Sequence, residues 1–157
     1  MLMPYSRRTS GHILADENTC ADIVRSVDAA FDTFSRLPQV IPHRVAVMGL
    51  SLGGYFALRL AGREHAPRPA AAVVWYGVYG AALSLVDRLR TPMLVVQGTR
   101  DAGSFIDAAR SLAAAAPDRV ELVTYSDAPH RFDVLQPGSQ AARDALARTV
   151  AWLGRRV

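Results

Sequence analysis

The sequence is poor in the residues that would indicate a disulfide framework, a multi-cysteine metal site or a membrane anchor. It has one cysteine, Cys20, which excludes an intramolecular disulfide and fits a reducing compartment. No apolar run approaches the roughly 18 residues needed to cross a bilayer. At the N-terminus the charges follow the apolar residues, the reverse of a secretory signal. These absences predict a cytoplasmic protein with no membrane partner.

Lysine is absent too, and the 18 basic residues are all arginine. The net charge is +4, but the positive charge does not cluster as it does in nucleic-acid-binding proteins. No helical segment has a basic face interleaved with aromatic residues. We therefore expect no nucleic-acid partner. The arginines that lie close together form three separate pairs, namely Arg7 and Arg8, Arg88 and Arg90, and Arg155 and Arg156.

Alternating apolar runs and helical periodicities predict one α/β domain over residues 1–157. The length and the 50% apolar content suffice for one substantial core. Four runs rich in β-branched and aromatic residues are predicted strands, namely Arg44–Leu50, Ala70–Tyr76, Pro92–Gln97 and Val120–Tyr125. The first three are apolar at nearly every position, which is typical of parallel strands covered on both faces.

Four segments with apolar residues three and four apart are predicted helices, namely Asn18–Leu37, Leu52–Ala61, Phe105–Ala115 and Ser139–Gly154. Strands that alternate with helices form right-handed crossovers and place helices on both faces of the sheet. The predicted fold is a three-layer sandwich around a mostly parallel sheet. Ligands of such folds bind at the carboxyl ends of the strands.

A G-x-S-x-G motif, formed by Gly49, Ser51 and Gly53, lies between the first predicted strand and the following helix. In that setting the serine occupies a tight, strained turn, and the two glycines make room for strand and helix to approach. The helix N-terminus then offers free N–H groups to a developing oxyanion. The motif predicts that Ser51 is a nucleophile. The alternative is a glycine-rich turn whose serine only caps the helix.

Asp101 and His130 follow the third and fourth predicted strands, so the chain order is nucleophile, acid, histidine. This is the order expected for α/β-hydrolases. We predict that His130 accepts the proton of Ser51 and that Asp101 orients the imidazole and stabilises its cation. Asp127 is the other candidate acid, but it lies on the same turn as His130, where it is better placed to organise the loop.

These residues resemble the dienelactone hydrolase branch of the α/β-hydrolase superfamily, and the resemblance covers almost the whole chain. The segments Ala71–Gly77, Tyr125–Phe132 and Asp144–Leu153 are similar to the family's sixth strand, its histidine loop and its closing helix. Leu2–Gly11 resembles the end of the fourth strand. The resemblance implies hydrolysis of small esters or lactones, with no metal or other cofactor.

The sequence departs from the family's pattern in two respects. Dienelactone hydrolases proper use a cysteine nucleophile, whereas Ser51 places this chain closer to serine esterases and peptidase-like relatives. The family's first three strands have no counterpart here, nor has the loop that supplies one oxyanion donor, which leaves the Leu52 N–H as the identifiable donor. The strand Arg44–Leu50 would then have an open edge. We expect a homodimer to cover it, although Met1–Tyr5 could instead form a short substitute strand.

The leading interpretation is a serine hydrolase that cleaves small carboxylic esters or lactones through an acyl-enzyme intermediate. Two alternatives stay open. The missing strands suggest a catalytically impaired α/β-hydrolase remnant that serves as a binding or assembly module. The similarity of Arg7–Gly11 to a loop of serine oligopeptidases suggests a hydrolase of short peptides.

Overall fold

Strands and helices alternate along the part of the chain that the structure describes. The structure is a computed structural model that describes residues 17–157, except for the side chains of Asn18, Ala81 and Ala82. Three expectations lie outside this range. They are the substitute strand at Met1–Tyr5, the resemblance of Leu2–Gly11 to a fourth strand and the similarity of Arg7–Gly11 to a loop of serine oligopeptidases.

Four parallel strands form one sheet in the order β1-β2-β3-β4. Their bounds are Ala46–Leu50 for β1, Ala71–Trp75 for β2, Met93–Gly98 for β3 and Val120–Tyr125 for β4. Leu50 pairs with Trp75, and Gly98 pairs with Tyr125, so the carboxyl ends of the strands lie at one edge of the sheet. This arrangement confirms the predicted α/β class and the parallel sheet.

Five α-helices occur among the described residues. They are α1 (Glu17–Ser35), α2 (Leu52–Ala61), α3 (Gly103–Ala115), α4 (Phe132–Leu135) and α5 (Gln140–Gly154). The four predicted helices correspond to α1, α2, α3 and α5. The short helix α4 and the 3₁₀ segments Pro42–Arg44 and Gly80–Arg88 were not predicted, because none of them is long enough to show a clear α-helical apolar period.

The side chains of the central strands divide between two helical layers. Val74 belongs to the core cluster that includes residues of α2 and α3, and its neighbour Val73 belongs to the cluster that includes Ala145 and Trp152 of α5. Every residue of β2 and β3 is buried. Each buried valine or leucine contributes about 1.5–3 kcal/mol. The helices therefore cover both faces of the sheet, as predicted.

Strand β1 is less covered than its apolar sequence predicts. Met48 is 45% exposed and Leu50 is 41% exposed, although this run was expected to be buried on both faces. Ala46, on the same face, packs in the cluster that contains α5 residues. However, α5 packs against β3, two strands away, which is about 10 Å. The apolar run thus indicated a parallel strand correctly, and the expectation from the resemblance that this strand lies at an edge agrees with its place among the described strands.

Candidate active site

Ser51 occupies a strained turn between β1 and α2. Its backbone has φ 52° and ψ −119°, a region that a non-glycine residue enters at a cost of about 1–3 kcal/mol. The Ser51 N–H donates to the Trp75 carbonyl at 3.0 Å, and the Ser51 carbonyl accepts from the N–H groups of Gly54 at 2.9 Å and Val78 at 3.0 Å. The Ser51 side chain makes no capping hydrogen bond to α2. The serine is therefore held by its backbone, and the helix-cap interpretation is wrong.

Glycines allow β1 and α2 to approach closely at this turn. A Cβ on Gly49 would lie 2.0 Å from the Gly53 carbonyl oxygen. A Cβ on Gly54 would lie 2.7 Å from Val74 Cγ1 and 2.9 Å from the Gly77 Cα. A Cβ on Gly53 would meet no atom within 4 Å. The steric role predicted for Gly49 is confirmed, but the role predicted for Gly53 belongs to Gly54.

The structure brings Ser51, His130 and Asp101 together in one line of hydrogen bonds. His130 Nε2 lies 3.0 Å from Ser51 Oγ, and His130 Nδ1 lies 2.8 Å from Asp101 Oδ2. These are ordinary hydrogen-bond distances. With Nδ1–H donating to the carboxylate, Nε2 has a free lone pair that faces the serine hydroxyl. The arrangement can transfer a proton from the serine to the imidazole.

The Asp101 carboxylate is buried and surrounded by donors. Its side chain is 2% exposed, whereas that of His130 is 30% exposed. Besides the His130 bond, Asp101 Oδ2 accepts from Gln97 Nε2 at 2.7 Å, and Oδ1 accepts from the Ala102 N–H at 2.8 Å. The three donors satisfy both oxygens of this buried carboxylate and fix its orientation. Asp101 can therefore hold the imidazole in place.

Asp127, the other candidate acid, has a different position. It lies exposed on the turn after β4 with φ 60°, and its N–H donates to Thr99 Oγ1 at 3.0 Å. The bond to the His130 ring comes from Asp101. The geometry therefore favours Asp101 as the partner of His130 and makes Asp127 part of the loop that presents the histidine.

Aromatic rings enclose the His130 imidazole. The Tyr76 ring meets it edge to face at 4.9 Å between centroids, and the Phe105 ring lies at 5.7 Å. Tyr76 is fully buried, and its hydroxyl donates to Asp133 Oδ1 on α4 at 2.8 Å. Burial raises the pKa of Tyr76, and the bond to Asp133 raises it further. Tyr76 therefore stays neutral and links β2 to the segment that follows the histidine.

The predicted oxyanion donor lies beside the serine. Leu52 is the first residue of α2, where backbone N–H groups have no acceptor within the helix. Such groups carry the partial positive charge of the helix N-terminus. The role of the Leu52 N–H toward a substrate oxygen stays a prediction.

Two residues at this site were not singled out from the sequence, namely Gln97 and Tyr76. Gln97 is the polar residue of an otherwise apolar strand, which is a recognisable signal. Tyr76 ends an apolar run and reads as an ordinary core residue. Its contacts with His130 and Asp133 depend on pairings more than 50 positions apart in the chain.

Within residues 17–157, no group of three histidine, cysteine, aspartate or glutamate side chains could hold a metal ion. No helix in that range is long and apolar enough to span a membrane.

A parallel sheet that carries a serine, an aspartate and a histidine on three strand-end loops has the architecture of the α/β-hydrolases. Comparison with known sequences identifies a family within this class. A model of the dienelactone hydrolase family matches residues 5–157, and the chain belongs to that family.

Individual relatives agree with this family. A Salmonella typhimurium protein named "Putative carboxymethylenebutenolidase" is 30% identical in an alignment of 128 residues, and the match covers 72% of this chain and 47% of the relative. The crystal structure of a "Putative Dienelactone Hydrolase" from Klebsiella pneumoniae superposes with a TM-score of 0.70 at 26% identity, covering 85% of this chain and 61% of the other. This chain thus spans less than two thirds of the length of either relative.

An esterase shares the same fold. Esterase 2 of Thermogutta terrifontis, crystallised after phosphoramylation by tabun, superposes with a TM-score of 0.72 at 22% identity. The match covers 86% of this chain and 64% of the esterase.

Proposed function

We propose that this chain is a serine hydrolase that cleaves small carboxylic esters or lactones. One observation carries the proposal: a buried carboxylate, an imidazole and a serine hydroxyl form a continuous hydrogen-bonded line at the carboxyl edge of the sheet. The dienelactone hydrolase family and the esterase neighbour support ester bonds as the substrate class.

In the first half of the reaction, Ser51 Oγ attacks the ester carbonyl carbon. His130 Nε2 accepts the hydroxyl proton as the new C–O bond forms, and Asp101 stabilises the resulting imidazolium. The former carbonyl oxygen becomes an oxyanion, to which the Leu52 N–H donates. The imidazolium then gives its proton to the alkoxide, which departs as an alcohol and leaves an acyl group on Ser51.

In the second half, a water molecule takes the place of the departed alcohol. His130 removes a proton from the water, which attacks the acyl carbon, and then returns that proton to Ser51 Oγ. The carboxylic acid leaves and the free serine is restored. Each proton passes through His130, so activity should rise with pH as the imidazole becomes neutral.

The test is covalent labelling of the purified chain with a fluorophosphonate, read by intact mass and peptide mass spectrometry. We expect a single adduct on Ser51, together with hydrolysis of p-nitrophenyl butyrate. Ser51→Ala should remove both. The matched control is Ser126→Ala, which changes an exposed serine directly after β4, at the same edge of the sheet as Ser51. It should retain both the adduct and the hydrolysis.

Other results would contradict the proposal in distinguishable ways. Absence of any adduct on Ser51 would overturn the nucleophile assignment. A Ser51 adduct without turnover of esters would favour the impaired remnant that acts as a binding module. Turnover of short peptides in preference to esters would favour the peptidase interpretation.

A further inference from the structure

Gln97 is a buried polar residue in an otherwise apolar strand. It is the polar side chain of β3, whose residues are all buried, and it is 0% exposed. Its side-chain nitrogen Nε2 lies 2.7 Å from Asp101 Oδ2, the same oxygen that receives His130 Nδ1. The amide is therefore in direct contact with the candidate catalytic acid.

The chemistry of the contact determines which way the amide points. The opposite orientation would place Oε1 against a carboxylate oxygen at the same short distance, and two acceptors repel each other. Nε2 must therefore donate. The other end of the amide, Oε1, is buried and has no hydrogen-bond partner within residues 17–157.

An unpaired buried acceptor destabilises the folded protein, whereas an apolar side chain of similar size would not. The stability of β3 alone thus gives no reason for glutamine at position 97. The reason lies in the single hydrogen bond that it does make. That bond, with the Ala102 N–H on the other oxygen, limits rotation of the Asp101 carboxylate.

We propose that Gln97 is a positioning residue that holds the Asp101 carboxylate in the plane of the His130 ring. The hydrogen bond from Gln97 Nε2 to Oδ2 also offsets part of the negative charge on that oxygen. It thereby weakens the attraction between Oδ2 and the imidazolium. This proposal rests on the proposed function only in that it treats Asp101 and His130 as catalytic groups. The positioning itself is a property of the folded chain and can be measured without a substrate.

The kinetic test compares Gln97→Leu with Thr91→Val. Thr91 is also buried and precedes the same strand, but its hydroxyl donates to the Pro69 carbonyl at 3.0 Å, away from Asp101. For Gln97→Leu we expect kcat to fall about tenfold with KM nearly unchanged. The acid limb of its pH–rate profile should move up by about half a pH unit, because Oδ2 loses a competing donor. Its Tm should change little, because the variant removes the unpaired Oε1 but also takes one donor from the buried Asp101 carboxylate.

The control variant should behave in the opposite way. Thr91→Val should lose thermal stability while keeping kcat and the pH profile of the parent. Gln97→Met replaces the amide with an unbranched apolar chain and repeats the test if the leucine variant does not fold. An unchanged kcat and an unchanged acid limb in a folded Gln97 variant would overturn the positioning role.

A second readout needs no turnover. In a Ser51→Ala background, NMR titration of the histidine ring protons, assigned with His130→Gln, follows the imidazole directly. The midpoint for His130 should move to higher pH when Gln97 is replaced, and a midpoint that stays or falls would overturn the proposal. If the parent neither hydrolyses esters nor reacts with fluorophosphonate but the midpoint still rises, the proposed function fails and the positioning role stands.

Discussion

The turn after β1 and the loops after β3 and β4 hold their reactive groups by different means. Ser51 is held by its own backbone, which bonds to the strand β2 and its following loop. Asp101 is held by the side chain of Gln97, four residues before it, and His130 is held by the side chains of Asp101 and Tyr76, which belong to other strands and loops. The nucleophile is thus placed by backbone hydrogen bonds, whereas the acid and base are placed by side-chain contacts. Substitutions on the two sides should fail in different ways.

The largest effect is expected from Ser51→Ala on the nucleophile side. Hydrolysis of p-nitrophenyl esters should fall by about four orders of magnitude or more, because the attacking oxygen is removed. The free energy of unfolding should fall by no more than about 1 kcal/mol, since alanine keeps the backbone hydrogen bonds of the turn and loses only the hydrogen bond to His130 Nε2. Ester kinetics and chemical denaturation measure the two quantities. Activity equal to that of the parent would reject Ser51 as the nucleophile.

On the acid side, Asp101→Asn should reduce kcat by about 10²–10⁴-fold. The asparagine amide can donate to His130 Nδ1, which would put the ring proton on Nε2 and remove the acceptor that faces Ser51. The fluorophosphonate reaction should slow in parallel. Asp127→Asn is the matched control, because this exposed carboxylate makes no bond to the ring. A larger loss for Asp127→Asn than for Asp101→Asn would reverse the assignment.

Backbone placement of the nucleophile is tested by a pair of glycine substitutions. Gly49→Ala should destabilise the fold by about 1–3 kcal/mol and lower activity, because its Cβ would overlap the Gly53 carbonyl. Gly53→Ala lies in a helix and meets no atom, so it should retain the fold or stabilise it by up to about 1 kcal/mol. Thermal unfolding of both variants gives the comparison. Equal destabilisation would show that helix geometry, rather than the close approach of the strand, decides this turn.

The smallest effect is expected from Tyr76→Phe on the histidine side. Loss of the hydroxyl should cost about 0.5–1.5 kcal/mol at neutral pH and lower activity only a few-fold. Burial raises the pKa of Tyr76 in the folded chain. The stability that the neutral Tyr76 hydroxyl contributes is present below about pH 10, near which a tyrosine of the unfolded chain ionises. It is lost as the pH rises further. Above that pH, the free energy of unfolding of the Tyr76→Phe variant should depend less on pH than that of the parent. Chemical denaturation at several pH values would measure this difference.

The sequence indicated the parts of this molecule that depend on neighbouring residues. The four strands and the four longer helices lie close to their predicted bounds, because apolar runs and helical periods are local patterns. The G-x-S-x-G motif located the turn, and the position of Asp127 on the same turn as His130 favoured Asp101 as the acid. The apolar run of β1 did not show the exposure of Met48 and Leu50, since a strand's own sequence does not show which strand lies beside it, and the open edge of this strand was expected only from the family resemblance. The homodimer and the cytoplasmic location stay predictions.

By itself, the sequence determined the order of strands, helices and candidate groups, because backbone geometry responds to glycine, β-branched residues and apolar spacing within a few positions. Tertiary structure alone decided which side chains surround those groups. The Tyr76 ring faces His130 only because parallel strands distant in the chain end at one edge of the sheet, whereas the Gln97 amide meets Asp101 because of the turn that follows β3. It also decided that Gly54, rather than Gly53, contacts the neighbouring strand, because that contact depends on where β2 lies.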